Sequence, residues 1–148
     1  MIAHEGNEWP EGYERRWPMR LLRGTAVLVL LDTLVQAALA GLFVTGNLDW
    51  LAWHAANAGV LSALTVVQTV LAVVVWRRLS GPGWPAAASA ALVGLVSAQQ
   101  GLGEARALAG HIPLGMAVFG CATALTYWAF TGRGQPAVRT GRHVGVAE

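Results

Sequence analysis

Four long apolar runs joined by short connections are the feature that most constrains what this chain can fold into. They lie at about 24–45, 50–76, 85–105 and 109–130, and the third, rich in alanine and glycine, is the weakest. Each has about the 20 residues that a helix needs to cross the hydrocarbon core of a bilayer. Short connections force each helix to lie antiparallel to the one before it. The sequence therefore predicts an all-α, integral membrane four-helix bundle over residues 21–132.

The composition supports a membrane protein and excludes several other classes. Only 12% of the residues are charged, about half of the share in a soluble domain. No basic patch is interleaved with exposed aromatic residues, so nucleic acid is not an expected partner. Because no nucleophile–base set, phosphate loop or zinc spacing occurs, the chain is not expected to be an enzyme by itself. A single cysteine, Cys121, excludes an internal disulfide, and the lack of a Cys-x-x-Cys-His motif excludes covalent haem attachment.

The positions of the arginines predict how the helices cross the plasma membrane. Arginines precede the first run, separate the second from the third and follow the fourth, whereas the first connection has none and the third only Arg106. Arginine-rich segments stay in the cytoplasm, so both termini are expected there, as tails over residues 1–20 and 133–148. The tryptophans agree with this topology because tryptophan favours the membrane interfaces. They would lie at the inner interface (Trp17, Trp76, Trp84 and Trp128) and at the outer one (Trp50 and Trp53).

Two histidines lie at matching points of the second and fourth runs. His54 and His111 each stand near the head of an apolar run, and a histidine inside a membrane segment is costly enough to suggest a function. The second and fourth helices would run parallel, which places both histidines near the outer leaflet. Pro113 is best tolerated in a first turn, so His111 is expected closer to its helix start than His54. The expected difference in depth is up to about one turn, or about 5 Å.

The helices that precede the two histidines are also alike. Gln36 lies near the end of the first run and Gln99 near the end of the third. The chain thus repeats the order glutamine, leucine, glycine, short outer loop, histidine and apolar run. This order predicts that the bundle consists of two repeated helix pairs.

One of these stretches resembles a known family. Gln99-Gln100-Gly101-Leu102-Gly103, followed by His111, is similar to the Gln-x-x-Leu-Gly stretch that precedes a haem-ligating histidine in the heme A synthases. The resemblance covers about residues 24–131, one four-helix half of that family's eight helices. It implies that His54 and His111 hold a haem as axial ligands, with Gln99 as a neighbour. The family's Glu-x-x-x-Arg-type outer motif has no counterpart here, so the resemblance implies haem binding rather than haem A synthesis.

The chemistry of such a site makes further residues candidates. Two neutral imidazoles on facing helices can hold a b-type haem without a covalent link. Each ligating ring needs an acceptor for its other N–H, and Gln36, Gln99 or a backbone carbonyl is available. Arg106 is the cation available for the propionates at the outer surface. We therefore expect non-covalent haem b on His54 and His111, for electron transfer or haem handling. The candidate partners are the lipid bilayer, a redox protein and a second copy of the chain.

Two other interpretations stay open. Each histidine could instead form a hydrogen bond across helices or lie at the interface. The small residues one turn after them, Ala58 and Gly115, suit close helix packing as well as a flat ligand. Asp32 lies in the middle of the first run, on the face of Gln36, and an intramembrane carboxylate often marks a proton or cation pathway. The alternative function is a small four-helix transporter or membrane-complex subunit that uses Asp32.

Overall fold

The computed structural model describes residues 17–132, and these residues form four α-helices. The helices are α1 (Trp17–Val44), α2 (Asp49–Leu79), α3 (Trp84–Glu104) and α4 (Leu108–Thr131). The predicted all-helical class and the number of helices are confirmed. The tail at 133–148 and most of the tail at 1–20 lie outside the described residues.

α1 begins well before the apolar run suggested, whereas the other three helices begin within one residue of the predicted starts. α1 starts at Trp17 rather than near residue 24, so Arg20 and Arg23 lie within it. Pro18 is compatible with this start because a proline in the first turn has no intrahelical N–H bond to lose. α4 starts at Leu108, which places Pro113 inside the helix instead of its first turn.

The four helices form a closed ring. Each helix packs against the next one along the chain, and α4 packs against α1. As a result, α2 and α4 occupy opposite corners and face each other across the bundle. The central hydrophobic cluster takes buried side chains from every helix: Val29, Leu61, Leu92, Val96, Val118, Ala122 and Leu125.

One end of the bundle is closed by the start of α1, the start of α3 and the end of α4. The side chain of Arg23 donates a hydrogen bond to the carbonyl of Ala129 at 2.8 Å. The rings of Trp84 and Trp128 meet edge to face, with their centroids 5.4 Å apart. The arginine-rich end predicted from the sequence is therefore one compact end of the structure, and the two histidines lie towards the other.

Many large apolar side chains are exposed on the exterior of the bundle, whereas several polar side chains are buried inside it. Thr65, Gln68 and Ser89 are buried, while large apolar side chains such as Met116 are exposed along the helices. Soluble monomers rarely expose such extended apolar surface. Within residues 17–132, the helices long and apolar enough to cross a membrane are α1, α2 and α4. α3, the run predicted to be the weakest, is not among them.

Candidate functional site

His54 and His111 meet across one end of the bundle. His54 comes from α2 and His111 from α4, and their ring centroids are 6.3 Å apart with an interplanar angle of 64°. The start of α4 at Leu108 gives His111 almost a full turn of preceding helix. The predicted difference in depth therefore does not separate the rings, and the structure brings the two candidate ligands together.

Both imidazoles are bound in the same way by the helix that precedes them. Nδ1 of His54 lies 3.1 Å from the backbone oxygen of Gln36, and Nδ1 of His111 lies 2.8 Å from that of Gln99. A carbonyl oxygen can only accept, so each Nδ1 carries the proton and donates it. Each neutral ring then has its lone pair at Nε2. Of the acceptors expected from the sequence, the structure uses the backbone carbonyls of the two glutamines.

The spacing of the rings suits two ligands of one metal ion. A metal–imidazole bond is about 2 Å long and a ring nitrogen lies about 1 Å from the ring centre, so opposed ligands have centroids about 6 Å apart. The observed separation is 6.3 Å. Metal-ligating histidines commonly donate the other ring N–H to a carbonyl oxygen, as both rings do here. The donor set therefore fits coordination by two imidazoles.

The type of metal group that this donor set could hold is restricted. Within residues 17–132, no group of three or more His, Cys, Asp or Glu side chains could hold a metal ion. A site made only of protein ligands usually needs three or four of them. A haem needs only axial ligands from the protein, so two imidazoles suffice for it.

Gln36 contacts His54 through both its backbone and its side chain. Besides its backbone contact with Nδ1, its side-chain amide donates to the carbonyl of His54 at 3.0 Å. The side-chain oxygen of Gln36 in turn accepts a hydrogen bond from Asn57 at 3.0 Å. The ring of Phe43 packs edge-on against the His54 imidazole at 5.5 Å. The first histidine is thus held by a glutamine whose side-chain nitrogen and oxygen each form a hydrogen bond.

Gln99 contacts His111 differently. Its side-chain nitrogen lies 3.4 Å from Nε2 of His111, while its side-chain oxygen is buried without a hydrogen-bond partner. Two glycines accommodate this arrangement. A Cβ at Gly103 would lie 3.0 Å from Cε1 of His111, and a Cβ at Gly115 would lie 2.8 Å from the Gln99 side-chain nitrogen. The Gln99 side chain therefore lies against the atom of His111 that would bind a metal.

Two residues near the site were not singled out from the sequence. Gln100 donates its side-chain amide to the carbonyl of Ala58 at 2.9 Å and to the hydroxyl of Ser62 at 2.6 Å, and so joins α3 to α2. Asn57 joins α2 to α1 through Gln36. The available signal was that both are amides within apolar runs, where an unpaired polar group is costly.

Arg106 lies at the same end of the bundle but is not in contact with the imidazoles. It is exposed in the connection between α3 and α4, and within residues 17–132 its side chain is not hydrogen-bonded to either ring. Its backbone has a φ of 56°. The hydrogen bonds from Ala107 to Leu102 and from Arg106 to Gly103 form a Schellman motif, in which this position is usually glycine. The structure thus places a non-glycine residue where its backbone is disfavoured.

Asp32 belongs to the polar group that includes Gln36. One carboxylate oxygen, Oδ2, is buried without a hydrogen-bond partner. The side chain of Asn57 lies beside Asp32 and also donates to Gln36. The face that the sequence assigned to Asp32 and Gln36 is therefore continuous with the residues that hold His54.

A cavity at the arginine-rich end is too small for an organic ligand. It has a volume of about 10 Å³ and is lined in part by Leu22, Gln68, Ser89 and Trp128. This volume corresponds to about one water molecule. Gln68 has a buried side-chain oxygen without a hydrogen-bond partner, which is the kind of group that such a water would bind. The cavity therefore does not compete with the histidine pair as a ligand site.

No protein-family model matches the chain, and neither a curated protein nor a solved structure is similar to it.

Proposed function

We propose that this chain is an integral membrane protein that binds b-type haem non-covalently, with His54 and His111 as its axial ligands. The observation that carries the proposal is the pair of imidazoles 6.3 Å apart whose Nδ1 atoms are both bound to backbone carbonyls. With Nδ1 as the donor, each Nε2 is the unprotonated atom that would bind iron, and the two rings come from helices at opposite corners of the four-helix bundle. A bound haem supplies one-electron redox chemistry, or is itself the group that is carried.

The membrane part of the proposal rests on the exterior and on the distribution of charge. Three of the four helices have the length and composition of membrane spans, and α3 packs against both α2 and α4, so it crosses with them. Arg20, Arg23, Arg77 and Arg78 lie at one end of the bundle, and Arg106 lies at the histidine end. The positive-inside rule then puts both termini in the cytoplasm and the histidines near the outer leaflet of the plasma membrane.

Each candidate residue has a separate role in this proposal. The rings of His54 and His111 bind the iron, and the carbonyls of Gln36 and Gln99 hold each ring in the tautomer that leaves Nε2 available. Arg106 is exposed at the same end, where it can pair with a propionate at the outer surface. The function is electron transfer or haem handling on the outer side of the membrane.

The visible spectrum of the protein purified in detergent tests this proposal. After expression with added haem, the wild type is expected to be red, with a Soret band and the sharp reduced bands of two-histidine ligation. His54→Ala and His111→Ala should each abolish that spectrum. His143→Ala is the matched control because His143 belongs to the C-terminal tail, and it should leave the spectrum unchanged. A colourless wild type after haem supplementation would overturn the proposal.

A second candidate function uses Asp32, and the buried, unpartnered Oδ2 of this residue favours it. In this alternative the chain is a small transporter or a subunit of a membrane complex, acting as a dimer with a second copy. Asp32 would bind and release a proton or a cation during transport. Substrate-induced proton release from purified protein tests the idea. Release that is unchanged in Asp32→Asn would exclude it.

A further inference from the structure

The two imidazoles of the site are not equally free to bind a metal. Both use Nδ1 to bind a backbone carbonyl, but only the Nε2 of His111 also has a side-chain amide against it. We propose that Gln99 is a positioning residue that makes His111 the exchangeable ligand of the pair, while His54 is the fixed one. This inference rests on the proposed haem site and concerns how that site exchanges a ligand.

The tautomer of His111 determines what the Gln99 side chain does. Because Nδ1 donates to the Gln99 carbonyl at 2.8 Å, Nε2 has no proton and can only accept. The side-chain nitrogen of Gln99, 3.4 Å from Nε2, is therefore a donor to the lone pair that iron would use. Iron and the amide compete for one lone pair. When His111 leaves the iron, its Nε2 accepts a hydrogen bond from the Gln99 side chain. When His111 binds the iron, that hydrogen bond is lost.

In the second helix pair, a glycine leaves the space that the Gln99 side chain occupies beside His111. Gly115 stands one turn after His111, and a Cβ there would lie 2.8 Å from the Gln99 side-chain nitrogen. The residue one turn after His54 is Ala58, which already has a Cβ. Gly120 lies five residues after Gly115 on the same helix. A Cβ at Gly120 would meet nothing within 4 Å. The absence of a Cβ at Gly115 is therefore needed for the Gln99 contact in particular.

His54 has no such competitor in the described part of the chain. The side-chain amide of Gln36 donates to the carbonyl of His54 at 3.0 Å and not to its ring. The side-chain oxygen of Gln36 is occupied by Asn57. These bonds anchor the backbone around His54 and leave its Nε2 without a hydrogen bond from residues 17–132. A dissociated His54 therefore gains no replacement bond, and its coordination is the more persistent of the two.

An exchangeable ligand changes which function the site suits. Electron transfer is favoured by two ligands that stay bound in both oxidation states, since little then rearranges. An iron that loses one imidazole readily can accept an external ligand or leave the protein. The Gln99 contact therefore favours haem handling, such as uptake or transfer, over pure electron transfer.

The experiment compares three proteins: the wild type, Gln99→Leu and the control Gln100→Leu. Gln100 is the adjacent glutamine, and its amide binds Ala58 and Ser62 instead of an imidazole. The first measurement uses haem-free protein with ¹⁵N-labelled histidine and follows the Nε2 resonance of His111. The second uses ferrous, haem-loaded protein and measures the affinity for carbon monoxide, which occupies the position that a histidine vacates.

The inference makes a definite prediction for both measurements. Gln99→Leu should move the His111 Nε2 resonance towards the value of His54, because the lone pair loses its donor. The same variant should bind carbon monoxide about three- to tenfold more weakly, the factor that corresponds to one net hydrogen bond. Gln100→Leu should change neither value, although it removes two bonds between helices.

The negative outcomes separate this inference from the proposed function. A wild type that takes up no haem overturns the proposed function, and the exchangeable ligand with it. A red wild type whose carbon monoxide affinity is the same in Gln99→Leu overturns the inference alone. Equal changes in Gln99→Leu and Gln100→Leu would also overturn it, because they would show a general loosening of the bundle.

Discussion

The two helix pairs of this bundle share a backbone contact and differ in a side-chain contact. In each pair, the histidine that begins the second helix donates Nδ1–H to the carbonyl of a glutamine near the end of the first. The Gln36 side chain then turns to the backbone of His54, whereas that of Gln99 lies against the ring of His111. The comparison shows that two imidazoles can have the same backbone contact while local side chains give them different surroundings.

The difference arises from the residues around each glutamine. Asn57 supplies a donor for the side-chain oxygen of Gln36, which holds that side chain away from the ring. The corresponding oxygen of Gln99 is buried and has no partner, so its side chain is held by fewer bonds. Gly115 leaves the space into which it turns. The Gln36 side chain is therefore held by more hydrogen bonds than the Gln99 side chain.

Mutations in the core test whether the two pairs differ only at the histidine end. Leu61 of α2 is 4% exposed and Leu92 of α3 is fully buried, and both belong to the central cluster. Leu61→Ala and Leu92→Ala should each lower the free energy of unfolding by about 2–5 kcal/mol, because each leaves a cavity. Unfolding in detergent would measure this, with Leu31→Ala, at an exposed position, as a nearly neutral control. A large effect in only one of the two core variants would show that the helix pairs have separate cores.

Substitution of the glutamines tests how much these different hydrogen bonds contribute to stability. Gln36→Leu removes two side-chain hydrogen bonds and leaves Asn57 and the His54 carbonyl without those partners. We expect it to lower the free energy of unfolding by about 1–3 kcal/mol. Gln99→Leu loses one long contact and removes an unsatisfied oxygen, so its effect on stability should be well below that of Gln36→Leu. The free energies of unfolding of the two haem-free variants measure this difference. Equal losses would show that the two glutamine side chains contribute equally to stability.

Gly115→Ala would give the second helix pair an alanine one turn after its histidine, as Ala58 is in the first. The added Cβ would displace the Gln99 side chain from His111, while alanine in a helix gains about 1 kcal/mol over glycine. The expected result is a haem-free protein of unchanged or slightly raised stability in which the His111 Nε2 resonance moves as in Gln99→Leu. Gly120→Ala is the matched control, since it meets no neighbour within 4 Å. If both glycine variants leave that resonance in place, Gly115 does not position Gln99.

Arg106 lies in the connection of the second helix pair, and its substitution is expected to have the smallest effect on stability. Its φ of 56° is disfavoured for a side chain with a Cβ, so Arg106→Gly should stabilise the haem-free protein by about 0.5 kcal/mol. The same change should weaken haem binding, because it removes the cation at the outer surface. Ser80→Gly, at a φ of 51° on the connection between α2 and α3, should stabilise the protein without altering haem binding. Haem titration and thermal unfolding measure both effects, and unchanged haem affinity in Arg106→Gly would remove Arg106 from the site.

Much of the fold could be predicted because it depends on local patterns. The lengths of the apolar runs and the shortness of the connections predict four antiparallel helices, and four are present. The start of α1 was not predicted, because it lies before the apolar run, whereas the other three starts were predicted to within one residue. Arg106 adopts a left-handed backbone that favours glycine, so residues 105–107 form a tight turn that starts α4 at Leu108. That start lies one residue before the predicted run, and Pro113 lies within the helix instead of in the expected first turn. The ring of His111 then lies 6.3 Å from that of His54.

The two histidines that the structure brings together could be predicted from the sequence, but their surroundings only in part. His54, His111, Gln36 and Gln99 stand out because polar residues are rare in apolar runs. Gln100 and Asn57 were missed because an amide side chain does not reveal its partner, which in both cases lies on another helix. Arg106 was chosen for its charge, and the structure places it at the correct end but out of contact with the rings.

The sequence by itself therefore determined the number of helices and placed both histidines at one end, since these depend on run length and alternation of direction. Only the tertiary structure decided which atoms of the two imidazoles are free. Those contacts join residues 12 or 18 positions apart on different helices, and they depend on how the helices pack. The unequal surroundings of His54 and His111 come from that packing, because glycine at 115 and asparagine at 57 direct two identical side chains to different partners.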